Sequence, residues 1–177
     1  ENAENIFLVN EGNADFVLAN TSKGSRIASQ WTGRVLQTGY LINTATGLKK
    51  LVKRNVLSMM QPSPQGKFVY WYDLELKNYF VYEVSTGITR NVTEKIKVPL
   101  YNTEADIPDY PYAAGNSGWT TDDHYFLIND EYDIWRVDPT GAELPKNITN
   151  GYGRKTHTSF DYLKLDSEKR FIENGET

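Results

Sequence analysis

Ser63-Pro64-Gln65-Gly66-Lys67 runs directly into Phe68-Val69-Tyr70-Trp71-Tyr72. A turn built on Pro and Gly hands over to aromatic and β-branched residues, the pattern of a buried strand. A second strand follows at Tyr79-Phe80-Val81-Tyr82-Glu83-Val84 and ends in Ser85-Thr86-Gly87. Gly there supplies the positive φ that a tight hairpin turn needs. Ile88 to Thr93 forms a last strand and finishes in Asn91-Val92-Thr93.

The same order of residues returns later in the chain. Trp119-Thr120-Thr121-Asp122-Asp123-His124 is the turn, and Tyr125-Phe126-Leu127-Ile128-Asn129 is the strand. Tyr132-Asp133-Ile134-Trp135-Arg136-Val137 follows, closed by Asp138-Pro139-Thr140-Gly141, and the unit ends in Asn147-Ile148-Thr149. Earlier, Tyr40-Leu41-Ile42-Asn43-Thr44-Ala45-Thr46-Gly47 repeats the strand and turn, with Leu48 to Val52 after it. Tyr162-Leu163-Lys164-Leu165-Asp166 opens what reads as a fourth copy.

A sheet of this kind cannot bury both faces alone, so neighbouring units must stack on it, which is the logic of a propeller. The expected fold is all-β: a partial β-propeller of three to four blades, each an antiparallel four-stranded sheet. The blade-like units run roughly 1–55, 56–98 and 114–150, with the start of another at 157–177. A β-sandwich is the alternative, but it would not need its units to resemble one another. No helical periodicity lasts beyond a turn. Residues 99–113 break the pattern as a long inter-blade loop, read either as functional, as loops of that length often are, or as a structural cover over the blades.

Twelve Tyr and four Trp among 177 residues suit strands, where flat rings pack on a pleated surface. The net charge of −4 comes without a basic stripe to neutralise phosphates, so a nucleic-acid partner is not expected. Lys49-Lys50 and Lys53-Arg54 are interleaved with Leu51 and Val52 and read as a solvated strand face. No apolar run approaches a membrane span. Cysteine is absent, which excludes disulfides, thiolate metal sites and cysteine nucleophiles. A chain that opens on Glu1 without a signal peptide reads as a piece of a longer protein.

Three stretches together resemble a known family. They are Ser63-Pro64-Gln65-Gly66-Lys67, Gly118-Trp119-Thr120-Thr121-Asp122-Asp123, and Tyr132-Asp133-Ile134-Trp135-Arg136-Val137-Asp138-Pro139 with Asn147-Ile148-Thr149-Asn150-Gly151-Tyr152-Gly153-Arg154-Lys155. The first is common to many propellers, the TolB type included; the last is long and far more specific. The chain resembles the N-terminal propeller of bacterial prolyl oligopeptidase-family serine peptidases, the group that includes dipeptidyl peptidase IV. The resemblance implies a parent enzyme, periplasmic or secreted, whose α/β-hydrolase domain and remaining blades lie outside this chain. The propeller would gate or position peptide substrates without chemistry of its own. A TolB-like propeller that binds a protein, with no enzymatic parent, is the alternative.

The residues themselves point the same way. Gly115-Asn116-Ser117-Gly118-Trp119 lacks the closing Gly of a nucleophile elbow and precedes a strand, so it reads as a turn. His124 and His157 have no partner in sequence for a Ser-His-Asp triad. Asp122-Asp123 beside His124 lacks the graded spacing of a calcium loop and aligns with Gln65-Gly66-Lys67 as turn residues. Asp130, Glu131 and Asp133 read as a solvated hairpin tip. Neither a metal nor a cofactor is expected, and no catalytic residue is assigned. Asn91-Val92-Thr93 and Asn147-Ile148-Thr149 match the glycosylation sequon, but they hold equivalent repeat positions and read as turn residues with the central apolar side chain inward. Trp119 and Trp135 read as core. Tyr110 and Tyr112, with Asp106 and Asp109 in the same loop, are the candidate contacts for a peptide substrate or partner. Both terminal blades should expose edges, which favours self-association or a compact closure of the fragment.

Overall fold

The computed structural model describes residues 3–103, 109–166 and 168–173. Among them the chain forms three four-stranded antiparallel sheets, an all-β partial propeller. Blade 1 holds β1 (Asn5–Leu8), β2 (Phe16–Thr21), β3 (Gln37–Asn43) and β4 (Lys49–Val56); blade 2 holds β5 (Gln61–Pro62), β6 (Phe68–Asp73), β7 (Asn78–Glu83) and β8 (Thr89–Asn91). Blade 3 holds β9 (Asn116–Trp119), β10 (Phe126–Asn129), β11 (Ile134–Val137) and β12 (Lys146–Asn147). In each sheet the strands lie side by side in chain order.

Successive side chains of a strand point to opposite faces, so each blade offers one face to its predecessor and one to its successor. Leu18, Leu41 and Met60 of blade 1 and its exit pack on Val69, Trp71 and Tyr82 of blade 2. The other face of blade 2, with Phe68, Tyr72, Tyr79 and Val81, packs on Trp119, Phe126, Ile128 and Val137 of blade 3. Registers make these positions equivalent: Val17, Val69 and Phe126 stand opposite Leu8, Pro62 and Trp119 in their own sheets. Val69 and Phe126 lie on the face turned to the preceding blade.

The turns that close the inner hairpins interlock as well. Each carries an amide bonded back three residues: Gly12 to the Val9 carbonyl, Gly66 to Ser63 and Asp123 to Thr120, at 2.9–3.1 Å. The first residue of one turn meets the fourth residue of the next. Val9 lies over Gly66, where a Cβ would fall 2.2 Å from Val9 Cγ1, so this close approach needs glycine. At the following junction Asp123 stands in the glycine's place. Its buried carboxylate accepts hydrogen bonds from Ser63 Oγ at 2.6 Å and from the Gln65 and Lys67 amides at 3.1 and 3.2 Å.

The repeats share a third device. Thr93 Oγ1 accepts from the Tyr79 amide and Thr149 Oγ1 from the Ile134 amide, each capping the opening of the third strand of its blade. This is the structural content of the two Asn-x-Thr runs. Val92 is buried as expected, in the cluster shared with blade 3, whereas Ile148, at the equivalent place in blade 3, is 40% exposed.

Several expectations need correction. Residues 116–119, read as a turn, form the inner strand β9, and Gln61–Pro62 is a strand too short to show an alternation. A helix, α1 (Arg26–Thr32), interrupts blade 1 between β2 and β3. None of its residues is buried, and its one apolar pair, Ile27 and Trp31, is too short a stripe for a periodicity search to find. A second short helix, α2 (Tyr152–Thr156), follows blade 3. Residues 162–166 form no strand; Leu163 and Leu165 are exposed, and it is Ile172 that bridges in parallel to Thr120.

Asp130 and Asp133 are buried, not solvated. Asp133 accepts from Thr149 Oγ1 at 2.6 Å and from the Gly153 and Arg154 amides at 3.0 and 3.3 Å. Asp130 accepts from Trp135 Nε1 at 2.8 Å and Arg154 Nη2 at 3.2 Å. A Cβ on Gly153 would lie 2.4 Å from the Tyr132 carbonyl oxygen, so only glycine fits. The two halves of the long sequence motif, 132–139 and 147–155, thus fold as one hydrogen-bonded unit.

Candidate functional site

The two ends of the blades differ in their connections. At one end lie the tight turns around 9–12, 63–66 and 120–123; at the other, two long excursions leave the repeat, one at 22–36 and one described at 92–103 and 109–115. The first excursion is anchored at its base. Ser25 Oγ donates to the Leu36 carbonyl at 2.8 Å, and Ser22 Oγ donates to the Glu4 carboxylate at 2.6 Å. Arg26 Nε pairs with Glu4 at 2.8 Å. The Ser22 hydroxyl, more than the Arg26 charge, holds the Glu4 carboxyl below its usual range. Gly33, at φ 68°, ends α1 and returns the chain to β3.

The second excursion is fixed by a bridge between Tyr101 and Ala113 and by Tyr79 Oη, which donates to the Gly115 carbonyl at 2.9 Å. The two excursions then meet. Arg34 Nη2 donates to Asp109 Oδ1 at 2.9 Å, and its guanidinium lies 4.5 Å from the centre of the Tyr110 ring. The Tyr110 amide, 2.7 Å from the same carboxylate oxygen, and the Arg34 charge hold Asp109 below the ordinary carboxylate range. Beside this pair is a shallow groove of about 220 Å³ lined by Arg34, Val35, Met59, Leu74, Tyr110 and Tyr112. Tyr112 is 72% exposed, and α1 presents Ile27 and Trp31, one turn apart, at 80% and 87% exposure.

Of the candidates drawn from the sequence, Asp109, Tyr110 and Tyr112 therefore converge on one groove, and Tyr110 is half-buried beneath Arg34. Asp106 lies outside the described residues. Sequence reasoning does not single out Arg34. The available signal is the length of the β2–β3 connection, 22–36, against the short turn 74–77 at the same place in blade 2.

The other polar groups weighed for chemistry are placed apart. Ser117 Oγ donates to Asn129 Oδ1 at 2.7 Å, His124 is exposed and stacked on Tyr125, and His157 sits edge-on to Tyr132 at the end of α2. No protein-family model matches the chain, and no curated protein matches it.

Proposed function

We propose that this chain is the non-catalytic propeller segment of a prolyl oligopeptidase-like serine peptidase, and that it positions or gates peptide substrates for a hydrolase domain outside residues 1–177. The observation that carries this reading is the meeting of the two excursions at one rim of the blades. A guanidinium, an aspartate and two tyrosine rings there border a groove of side-chain size. Such a mixture suits a peptide: ring faces take an apolar side chain or proline, and the ion pair offers a charge of either sign to a chain end. The resemblance of residues 132–155 to that family is the other support, and in this chain Gly153 and the two buried aspartates hold them as one folded unit. Export to the periplasm or beyond belongs to the same reading.

The test is peptidase activity on short proline-containing peptides, measured for the natural full-length polypeptide beside residues 1–177. Activity in the former and none in the latter is expected. A natural polypeptide without peptidase activity that nevertheless retains a protein partner would replace this reading with a binding propeller of the TolB type.

A further inference from the structure

The two outer faces of the three-blade stack are not alike. The face of blade 3 turned away from blade 2 is covered by the chain itself: Phe160, Tyr162 and Ile172 pack on Leu127 and Ile134. Ile172 bonds through its backbone to Trp119 and Thr121, and Asn129 Nδ2 donates to Asp161. The face of blade 1 turned away from blade 2 has no such cover among the described residues. Ile6 and Leu8 are 61% and 68% exposed there, beside a depression of about 490 Å³ floored by Ala19, Tyr40 and Ile42.

The repeat tells what these positions are for. Ala19 corresponds to Trp71 and Ile128, Tyr40 to Phe80 and Trp135, and Ile42 to Tyr82 and Val137, through their shared pairing registers. In blades 2 and 3 those positions pack on the preceding blade. Blade 1 keeps them apolar: Ala19 is already buried, whereas Tyr40 and Ile42 stay partly exposed, and no further sheet among the described residues packs on them. The interlocking turns repeat the message. The fourth turn position is filled by Val9 at Gly66 and is itself a latch at Asp123, but around Gly12, at φ +86°, a Cβ would meet nothing within 4 Å.

We infer that the outer face of blade 1 is a docking surface for one further four-stranded blade, whose first turn residue, a compact side chain such as Val or Ser, lies over Gly12. A second copy of this chain is a poor occupant. Two copies meeting through this face would oppose one empty glycine socket to another and bring Lys23, Lys49 and Arg54 at the border of the depression against their own kind. A copy docking through its blade 3 would first have to displace Phe160, Tyr162 and Ile172, which cover it.

Residues 1–177 hold no cysteine, and any cysteine of the natural polypeptide outside them is first replaced by Ser. Ile6→Cys and Leu51→Cys, on the first and last strands of the face, are each placed in residues 1–177 and in the natural full-length polypeptide. Leu144→Cys, in an exposed turn of blade 3, serves as the control. An aromatic disulfide reagent reports thiol accessibility. The thiols of the Ile6→Cys and Leu51→Cys variants are expected to react freely in residues 1–177 and about 100-fold more slowly in the natural polypeptide. The Leu144→Cys thiol is expected to react equally fast in both. Equal rates at the face in both polypeptides would overturn the inference. So would protection in residues 1–177 that grows with concentration, which would make the occupant a second copy. Because peptidase activity plays no part in the readout, failure here leaves the proposed function to its own test.

Discussion

The two junctions between blades solve the same packing problem with different chemistry. Between blades 1 and 2 the contact at the turn is apolar: Val9 seats on Gly66, and a polar tie lies towards the other end of the strands, where the Asn20 side-chain amide and the Met60 backbone exchange hydrogen bonds. Between blades 2 and 3 the glycine is replaced by Asp123, and a buried carboxylate binds Ser63 and two amides. The faces differ in the same sense. Blades 2 and 3 share a stack of rings in which Phe126 lies 4.6 Å from Trp119, 4.8 Å from Tyr70 and 5.5 Å from Tyr79. A blade junction thus needs a close-fitting turn contact and an apolar face, but the turn contact can be steric or electrostatic.

Emptying the aromatic junction is the most damaging change. Phe126→Ala should cost about 3–5 kcal/mol, read from the urea midpoint, since it removes the ring shared by three others. Burial among those rings also pushes the Tyr79 hydroxyl well above its ordinary value. A cost below about 1 kcal/mol would mean that blades 2 and 3 are not packed as described.

The steric junction is tested by a pair of glycines. Gly66→Ala should cost about 2–4 kcal/mol, combining a left-handed backbone with a clash against Val9. Gly12→Ala has the same backbone penalty and no neighbour, and should cost about 1 kcal/mol. Equal losses would remove the steric half of the comparison. The electrostatic junction is probed by Asp123→Asn, which keeps the shape but gives up the charged acceptor. A loss of about 1–3 kcal/mol is expected, reduced when Ser63→Ala is already present.

A smaller effect is expected from pH, through the Asp133 unit that ties α2 to blade 3. Burial opposes the Asp133 charge, but the Thr149 hydroxyl and the Arg154 and Gly153 amides outweigh it and hold the pKa below its ordinary value. The stability this gives is complete above the unfolded value and is lost as pH falls through the lower folded value. Acid unfolding curves of the Asp133→Asn variant should therefore lack part of the decline below about pH 4 seen in the unsubstituted chain. The smallest effect concerns the rim: in a natural polypeptide with peptidase activity, Tyr112→Ala should raise KM about 3- to 10-fold with little change in stability. An unchanged KM would remove Tyr112 from the substrate path.

Much of this architecture can be seen in the sequence because its repeats are written in large residues. Phe68 to Tyr72 and Tyr125 to Asn129 announce central strands, and Thr-Gly and Asp-Pro-Thr-Gly mark the outer hairpins. The inner strands are hidden because a two-residue strand such as Gln61–Pro62 has no period, and β9 carries Gly118 where a strand would carry bulk. Helix α1 escapes because all its sides face solvent. Asp123 aligns with Gly66 as a turn residue, yet its partner Ser63 is 60 positions away, and no local pattern records that contact. The rim groove is half legible: loop length and the Pro-Tyr pattern point to Asp109, Tyr110 and Tyr112, while Arg34 reaches them across 75 positions.

Amide hydrogen exchange on residues 1–177 tests the blade stack most directly, because blade 2 is the blade covered by a neighbouring blade on each face. The slowest exchange is expected in β6 and β7, faster exchange in β10 and β11 under their covering segment, and the fastest among the central strands in β2 and β3 beside the open face. Uniform protection across all three sheets, or blade 1 as the most protected, would contradict a stack of separate blades with one uncovered end.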